Sequence, residues 1–329
     1  LCLTATQPSL PCKILKLPSD FQAVRMTEPR PVLITGATGF IGSHLTTALS
    51  SAGRKVHVLV RLESDLTVLA PFLSQIMVHT LDGSMEQLTS IFKSVHPGCV
   101  VHLATRFLAS HTPQDVTPFI EANVLFGAQL LESMQAAGIR CLVNAGTTWQ
   151  HYQGQEYDPV NFYAATKQAF EELLRFYVSA RDFQAITLEL TDTYGPGDRR
   201  QKLFALLNKT AQTQEPLPMS PGDQVLDLLY IDDVTRAFTQ AVDLLETGRV
   251  AGFEKYLLTA VEQKSLKEVV QLYQTLAGVS LPIQWGGRSY REREVMNPWN
   301  QGKILPGWKP EIGLTEGIRR ILAQKQVTD

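Results

Sequence analysis

The sequence has no long hydrophobic run and no excess of basic residues. None of its apolar segments approaches the roughly 20 residues needed to span a bilayer, so we expect a protein without a membrane partner. With 30 basic and 32 acidic residues the formal net charge is −2, and a chain without a basic field is not expected to bind nucleic acid. An anionic ligand must therefore be held by a local site.

Cysteine is scarce and shows no pairing motif. The four cysteines are Cys2, Cys12, Cys99 and Cys141, and no two have CxxC spacing. The last two open apolar stretches, where cysteine behaves as a small buried hydrophobe. The pattern favours a reducing, cytoplasmic setting and predicts no metal site.

The first 29 residues differ from the rest of this 329-residue chain. Residues 1–29 have prolines at positions 8, 11 and 18 and no clear periodicity, and they lack the basic start and apolar stretch of a signal peptide. We expect a poorly ordered extension, or a natural start at Met26, because the first predicted strand begins shortly after that residue.

The remaining chain opens on an apolar run, residues 31–35, that ends in three regularly spaced glycines. Gly36 allows a sharp turn, Gly39 leaves room for a phosphate, and Gly42 lets the following helix pack closely on the strand. The helix N-terminus adds free N–H groups and a positive dipole end. The G-x-x-G-x-x-G spacing departs from the usual G-x-G-x-x-G, so a glycine turn without a ligand is the alternative, but the strand and helix around it favour a dinucleotide site.

Arg61 ends the next predicted strand, residues 55–61. At this position of a dinucleotide-binding fold an acidic residue bonds the 2′-hydroxyl of NAD, whereas an arginine accommodates the 2′-phosphate of NADP. Arg61 therefore predicts NADP, with NAD possible, and a solvated surface arginine is the alternative.

Strands and helices continue to alternate. Further strands are predicted over 77–83, 99–105 and 140–144, with helices over 85–95 and about 120–138, as in a doubly wound parallel (Rossmann) sheet of the α/β class. His102 is expected to be packed inside this sheet without a catalytic role. Thr147 and Thr148 follow the fifth strand, where open α/β sheets bind ligands, although hydroxyls are also common in turns.

Tyr163 and Lys167 lie four residues apart in the next predicted helix and so share one face. Such a pair is a weak signal by itself. Its place just after the Thr147 turn, in a fold that already holds a cofactor, makes it a candidate for the chemistry.

These motifs together resemble those of the extended short-chain dehydrogenase/reductases that modify nucleotide sugars. The resemblance rests on the glycine turn, residues 101–104, the Thr147 turn, the Tyr163–Lys167 pair and residues 194–198, in this order. Segments 230–234, 307–310 and 314–318 extend it over about residues 31–325.

The resemblance implies a role for each matching residue. Thr147 would bind the substrate oxygen, Tyr163 would be the acid/base, and Lys167 would bond the nicotinamide ribose and lower the pKa of Tyr163 from about 10. Asn123 would support the active site and Asp82 would contact the adenine, although both could be cap or turn formers. The family also implies a homodimer. The cofactor residues would be Gly36, Thr38, Gly39, Phe40, Ile41, Gly42, Arg61, Asp82, Gly83, Leu103, Ala104, Thr105, Tyr163 and Lys167.

The sequence departs from the family around the substrate. The dehydratases carry an Asp-Glu pair directly after the active-site threonine, and Thr148 with Trp149 in its place disfavours elimination. Glu189 and Asp192 stand where the family often has an arginine and an asparagine, so substrate contacts there cannot be copied. His151 is interpreted as a polar residue at the pocket rim in preference to an additional acid.

The C-terminal part, residues 196–224 and 262–329, is predicted to form a smaller substrate-binding lobe. Residues 30–195, joined by 225–261, would form the dinucleotide-binding domain. For a nucleotide sugar, Thr148, Arg199 and Arg288 are the chosen contacts, because arginine suits bidentate binding of phosphate. Glu292 and Glu294 interleave with the neighbouring arginines, so a self-neutralised surface run is the alternative.

The predicted function is NADP-dependent reduction of a 4-keto nucleotide sugar, with Tyr163 as proton donor. The first alternative is an NAD-dependent nucleotide-sugar 4-epimerase. An alternative of another class is a non-catalytic dinucleotide-binding protein.

Overall fold

A computed structural model describes residues 30–325 of the chain. The predicted extension, residues 1–29, and the start expected at Met26 lie outside the described residues.

In this part of the chain the elements alternate as the sequence predicts. The strands are β1 (Val32–Thr35), β2 (Val56–Arg61), β3 (Ile76–Leu81), β4 (Cys99–His102), β5 (Cys141–Thr147), β6 (Gln184–Leu190), β7 (Asp192–Tyr194), β8 (Leu217–Met219), β9 (Val225–Tyr230), β10 (Phe253–Leu258), β11 (Gln263–Ser265) and β12 (Ile283–Trp285). The α-helices are α1 (Phe40–Ser51), α2 (Met85–Val95), α3 (Val116–Ile120), α4 (Phe126–Ala136), α5 (Phe162–Arg181), α6 (Leu203–Thr213), α7 (Ile231–Glu246), α8 (Leu266–Ala277) and α9 (Leu314–Lys325).

Seven of these strands form one sheet in the order β10-β6-β5-β4-β1-β2-β3, and every neighbouring pair is parallel. The order reverses between β1 and β4. From β1 the chain adds β2 and β3 on one side of the sheet, and it then adds β4, β5, β6 and β10 on the other side. The predicted doubly wound sheet is confirmed. Ligands bind such sheets beyond the carboxyl ends of the strands at this reversal.

Both faces of the central strands β1 and β4 are buried, which is why these strands are nearly continuous apolar runs rather than alternating ones. In β1, Val32 and Ile34 pack into a cluster that includes residues of α1 and α7. Leu33 points the other way, into a cluster with residues of α4 and α5. The helices on the two faces hold the carboxyl ends of the strands in fixed positions.

Four predicted boundaries are wrong. The strands predicted over 77–83 and 99–105 end at Leu81 and His102, because their pairing with neighbouring strands stops there. The helix expected over 120–138 is divided into α3, a π-helical turn at Glu121–Leu125, and α4; such turns are frequently found at functional sites. The fifth strand continues to Thr147 instead of ending at residue 144, because its pairing with β6 extends to Thr147 opposite Leu190. Thr147 is therefore held by the sheet itself.

The C-terminal segments add two small sheets. One has the order β11-β9-β7 and the other pairs β12 with β8, while β10 returns to the central sheet beside β6. The division into a dinucleotide-binding domain and a substrate lobe stays a prediction. Within residues 30–325, no helix is long and apolar enough to cross a membrane.

The close packing of α1 on β1 gives a testable prediction. A Cβ added at Gly42 would lie 2.1 Å from the carbonyl oxygen of Gly36, so Gly42→Ala should destabilise the fold by about 1–3 kcal/mol through overpacking. The matched control is Gly313→Ala, whose Cβ would meet nothing nearer than a Glu262 oxygen at 3.7 Å. Thermal unfolding should show a lower Tm for the first variant alone, and equal Tm values would contradict the packing argument.

Candidate active site

The turn between β1 and α1 forms a cradle that side chains would fill. Gly36 has φ +71°, and a Cβ there would lie 2.6 Å from the amide nitrogen of Ala104. At Gly39 a Cβ would meet only the carbonyl oxygen of Gly36, at 3.2 Å. Gly39 is also the N-cap of α1 and provides no capping side chain, so the first N–H groups of the helix are free for an anion. This arrangement fits the diphosphate of a dinucleotide.

A cleft of about 1220 Å³ lies over this turn, at the carboxyl ends of β1, β4 and β5. All of the predicted cofactor residues line it, and so does Thr147. The structure thus brings together residues from 36 to 167, while their contacts with a cofactor stay predictions.

Arg61 and Asp82 stand at the ends of β2 and β3 along one edge of this cleft. Arg61 is exposed, and among the described residues its guanidinium has no hydrogen-bond or ion-pair partner. Its main chain bonds Ser64, with the Arg61 amide donating to Ser64 Oγ at 3.0 Å and the Arg61 carbonyl accepting from the Ser64 amide at 3.0 Å. Asp82 Oδ1 accepts from the Ser84 amide at 2.7 Å. Asp82 therefore forms the turn that the sequence offered as the alternative to an adenine contact.

Tyr163 and Lys167 project from the first turns of α5, whose N-terminus is capped by Asn161 through a 3.0 Å bond from the Ala164 amide. Burial raises the pKa of Tyr163 to about 12, against smaller opposing effects of Thr105 and Arg200. Loss of hydration of the phenol outweighs these lowering effects, and the expectation that the ammonium of Lys167 lowers this pKa stays a prediction. Tyr163 is held as a protonated donor.

Lys167 is buried, and the same loss of hydration acts on it in the opposite sense. Burial lowers the pKa of its ammonium group to about 8, and the carboxylate of Glu171 counteracts only part of this shift. Lys167 therefore changes charge close to neutral pH.

Asn123 lies in the π-helical turn and is buried behind the cleft. Its side-chain oxygen accepts from the Arg106 amide at 2.7 Å and from Thr105 Oγ1 at 3.0 Å. Its nitrogen donates to the Arg106 carbonyl at 3.0 Å and to Thr166 Oγ1 at 2.9 Å. Asn123 thus ties the loop after β4 to the helix that carries Tyr163.

A second cleft, of about 700 Å³, adjoins the first. Thr148, Arg199 and Arg288 line it, as the predicted substrate contacts require. Thr148 Oγ1 donates to the Leu190 carbonyl at 3.3 Å. Arg199 forms an exposed ion pair with Asp65 at 3.2 Å, whereas the guanidinium of Arg288 has no partner among residues 30–325, which leaves Arg288 the better placed of the two for an anion.

The two clefts meet at residues that the sequence did not single out as site residues. Phe107, Trp149, Asp192 and Lys202 line both clefts. The ring of Phe107 lies 5.0 Å from that of Tyr163. Lys202 Nζ contacts Asp192 Oδ1 at 2.8 Å; burial favours the protonated carboxyl, but Lys202 and then Arg200 and Arg291 outweigh this and lower the pKa of Asp192. Phe107 and Lys202 lie in loops outside any motif, so no sequence signal identified them.

His102 is buried within the sheet, as expected. Its Nδ1 lies 2.8 Å from Thr35 Oγ1, and burial, with a smaller effect of Lys167, lowers the pKa of the imidazole to about 3. The ring is neutral at ordinary pH and forms part of the core.

The placement of His151 at the pocket rim is wrong, because the structure buries it. Its Nε2 lies 2.5 Å from Glu189 Oε1 and its Nδ1 lies 3.0 Å from the Gln155 carbonyl. Glu189 is equally buried and also contacts Lys255 Nζ at 3.1 Å. The carboxylate that replaces the family's arginine is therefore paired inside the protein and does not face the cleft.

The model of the NAD dependent epimerase/dehydratase family matches residues 32–252. The chain belongs to that family. It is an enzyme of the extended short-chain dehydrogenase/reductase type, as its motifs imply. Within residues 30–325, no three His, Cys, Asp or Glu side chains are grouped so that they could hold a metal ion.

Relatives from this family match almost the whole chain. CDP-abequose synthase from Salmonella muenchen is 26% identical over 300 residues, which cover 90% of this chain and 98% of the relative. UDP-glucuronate 4-epimerase from Thermodesulfobacterium geofontis is 25% identical, with 88% and 94% covered. The structure of UDP-glucuronic acid 4-epimerase from Bacillus cereus, in complex with UDP-glucuronic acid and NAD, has a TM-score of 0.79 at 22% identity and covers 90% of this chain and 99% of that one. This last likeness shows the fold.

The charge of Lys167 predicts the pH dependence of turnover. A lysine with a lowered pKa of about 8 is an ammonium below that pH and neutral above it, so the rate of an enzyme that needs the cation should fall as pH rises through about 8. Lys167→Arg keeps its charge, and its residual activity should lack this fall. A wild-type kcat profile that stays flat to pH 10 would contradict the assignment.

Proposed function

We propose that the protein is an NADP-dependent reductase of a 4-keto nucleotide sugar. The observation that carries the proposal is the position of Tyr163, a protonated phenol that lines the cofactor cleft with its ring 5.0 Å from that of Phe107, which lines both clefts. A phenol in that state can donate a proton to an alkoxide as it forms. Thr148 and Trp149, in place of an acidic pair, disfavour elimination as the reaction.

The glycine turn and Arg61 support NADP as the cofactor. The free N–H groups at the start of α1 would hold the diphosphate, and the unpartnered guanidinium of Arg61 at the cleft edge would pair with a 2′-phosphate. When bound, NADPH supplies the hydride for the sugar carbon. NAD is the alternative cofactor, and it is present in the Bacillus cereus structure.

The remaining steps belong to this chain's own residues. Tyr163 Oη would donate its proton to the substrate oxygen, while Thr147 Oγ1, at the end of β5, would hydrogen-bond the same oxygen and fix its position. The ammonium of Lys167 would stabilise the phenolate that forms. Asn123 would hold the loop after β4 and the helix of Tyr163 in register, and Arg288 would bind the diphosphate of the substrate.

The relatives support a nucleotide sugar as the substrate class. Two of them are named as a CDP-sugar synthase and a UDP-sugar 4-epimerase. We further expect a homodimer in a cytoplasmic setting, as the motifs and the cysteine usage predict.

A nucleotide-sugar 4-epimerase is the second candidate, because one of the relatives carries that name. Such an enzyme would oxidise and then reduce the same carbon with NAD kept bound. Purified protein that holds NAD⁺ tightly and interconverts sugar epimers without added cofactor would overturn the reductase proposal. Steady consumption of NADPH with a 4-keto nucleotide sugar would support it.

Arg61→Ala tests the choice of cofactor. Loss of a charge-assisted contact with the 2′-phosphate should weaken NADPH binding by roughly 10–100-fold and leave NADH binding almost unchanged. Fluorescence titration with both cofactors measures this, with Arg249→Ala as the control because Arg249 is exposed and lies outside both clefts. Equal losses for NADPH and NADH would argue against NADP.

Tyr163→Phe tests whether the protein is an enzyme of this mechanism or a non-catalytic binder. Removal of the proton donor should lower kcat by roughly 10²–10⁴-fold, while the thermal stabilisation by NADPH, which reports binding to the native state, should persist. Unchanged turnover would show that the catalytic assignment is wrong.

A further inference from the structure

A segment of the C-terminal part lies along the substrate cleft without helix or strand of its own. It comprises residues 286–300, which follow β12, and we name it the cleft segment. Arg288, Arg291 and Trp299 are among its residues that line the cleft. Because a segment without regular structure has no ladder of hydrogen bonds along its length, its position depends on the contacts that its side chains and end residues make.

Several of those side-chain contacts are made with one short stretch, residues 149–158, directly after the Thr147 turn. Arg291 lies over the ring of Trp149 at 5.8 Å. Arg293 forms an ion pair with Asp158 and lies over the ring of Tyr152 at 4.2 Å. On its other side the segment is attached by main-chain bonds, from the Arg288 amide to the Met219 carbonyl at 3.1 Å and from the Val225 amide to the Met296 carbonyl at 2.9 Å. Tyr290 Oη also donates to Asp223 Oδ2 at 3.2 Å.

Trp299 makes the remaining contact, and it does so with a buried pair of ionisable groups. Its indole stacks on the imidazole of His151 with the ring centroids 4.2 Å apart and the planes 13° from parallel. His151 and Glu189 are each 2% exposed at the side chain and lie 2.5 Å apart. Both side chains of this pair are buried, whereas those of Arg293 and Asp158 are partly exposed.

Rotation of the His151 ring would break the hydrogen bonds at both of its nitrogen atoms. Nε2 faces Glu189 Oε1 and Nδ1 faces the Gln155 carbonyl, and both of these are oxygen atoms. Glu189 is held in turn by Lys255 at 3.1 Å, and Lys255 also faces Glu171 at 3.5 Å. A fixed imidazole plane fixes the plane of the indole that stacks on it.

We propose that the His151–Glu189 pair is a seat for Trp299 that holds the cleft segment over the substrate cleft. His151, Glu189 and Trp299 are then positioning residues for the nucleotide sugar, because they hold Arg288 and Arg291 where the ligand binds. The proposal rests on the proposed substrate class, and it assigns a use to the carboxylate that stands where the family has an arginine.

The test is calorimetric titration of the intact purified protein with UDP-glucose, CDP-glucose and NADPH. Trp299→Ala should weaken binding of the preferred nucleotide sugar roughly tenfold and leave NADPH binding within about twofold. Trp299→Phe, which restores a ring, should recover most of the loss. In turnover assays the change should appear in KM and not in kcat.

Two further variants separate the seat from general stability. The control is Trp285→Ala, since Trp285 is 39% exposed on β12 and lies outside the lining of the substrate cleft; it should bind both ligands as the wild type does. The double variant with His151→Ala and Trp299→Ala should weaken binding no more than either change alone. Each change removes the same contact, the stack between the two rings. If His151→Ala does not fold, Trp299→Ala decides the matter by itself.

Three outcomes would overturn the proposal: unchanged nucleotide-sugar affinity in Trp299→Ala, an equal loss of NADPH affinity in that variant, or an equal loss in Trp285→Ala. Failure of wild-type protein to bind either nucleotide sugar would overturn the proposed function and this inference with it. Binding by the wild type with no effect of Trp299→Ala would overturn the seat alone.

Discussion

The close approach of three main-chain segments at the end of β1 is the constraint on which the rest of the structure depends. Gly36 turns beneath the amide of Ala104, which follows β4, and α1 passes so close that Gly42 has no room for a Cβ. This contact joins the two strands between which the sheet reverses its order, and it leaves the first N–H groups of α1 facing the cleft. The cleft above this turn thus depends on close main-chain packing, which a side chain at Gly36 or Gly42 would prevent.

Loss of hydration organises the chemistry around that turn. Burial raises the pKa of Tyr163 and lowers those of Lys167 and His102, in each case toward the neutral form. The three groups lie on neighbouring elements but differ in position. His102 is packed in the core, whereas Tyr163 and Lys167 line the cleft. The same protein interior that disfavours charge accommodates Glu189 only because His151 and Lys255 lie beside it.

Much of the fold and a large part of the candidate site could be predicted from the sequence. Apolar strands, glycine spacing and the Tyr163–Lys167 interval are local patterns, and each reflects a requirement of a single turn, strand or helix. The boundary of β5 could not be predicted in this way, because pairing with β6 and not local propensity carries the strand to Thr147. The bonds of Asn123, in the π-helical turn, could not be predicted either, because its partners Arg106 and Thr166 are distant in sequence.

The sequence by itself determined the parallel sheet, the glycine turn after β1 and the family, since these depend on patterns within short stretches of chain. Only the tertiary structure decided that His151 is buried on Glu189, that Arg199 pairs with Asp65 while Arg288 has no such partner, and that Phe107, Asp192 and Lys202 line the junction of the two clefts. The reason is physical. Burial and charge pairing depend on which distant segments of the chain come into contact. Local sequence patterns do not show those contacts, and only the folded structure does.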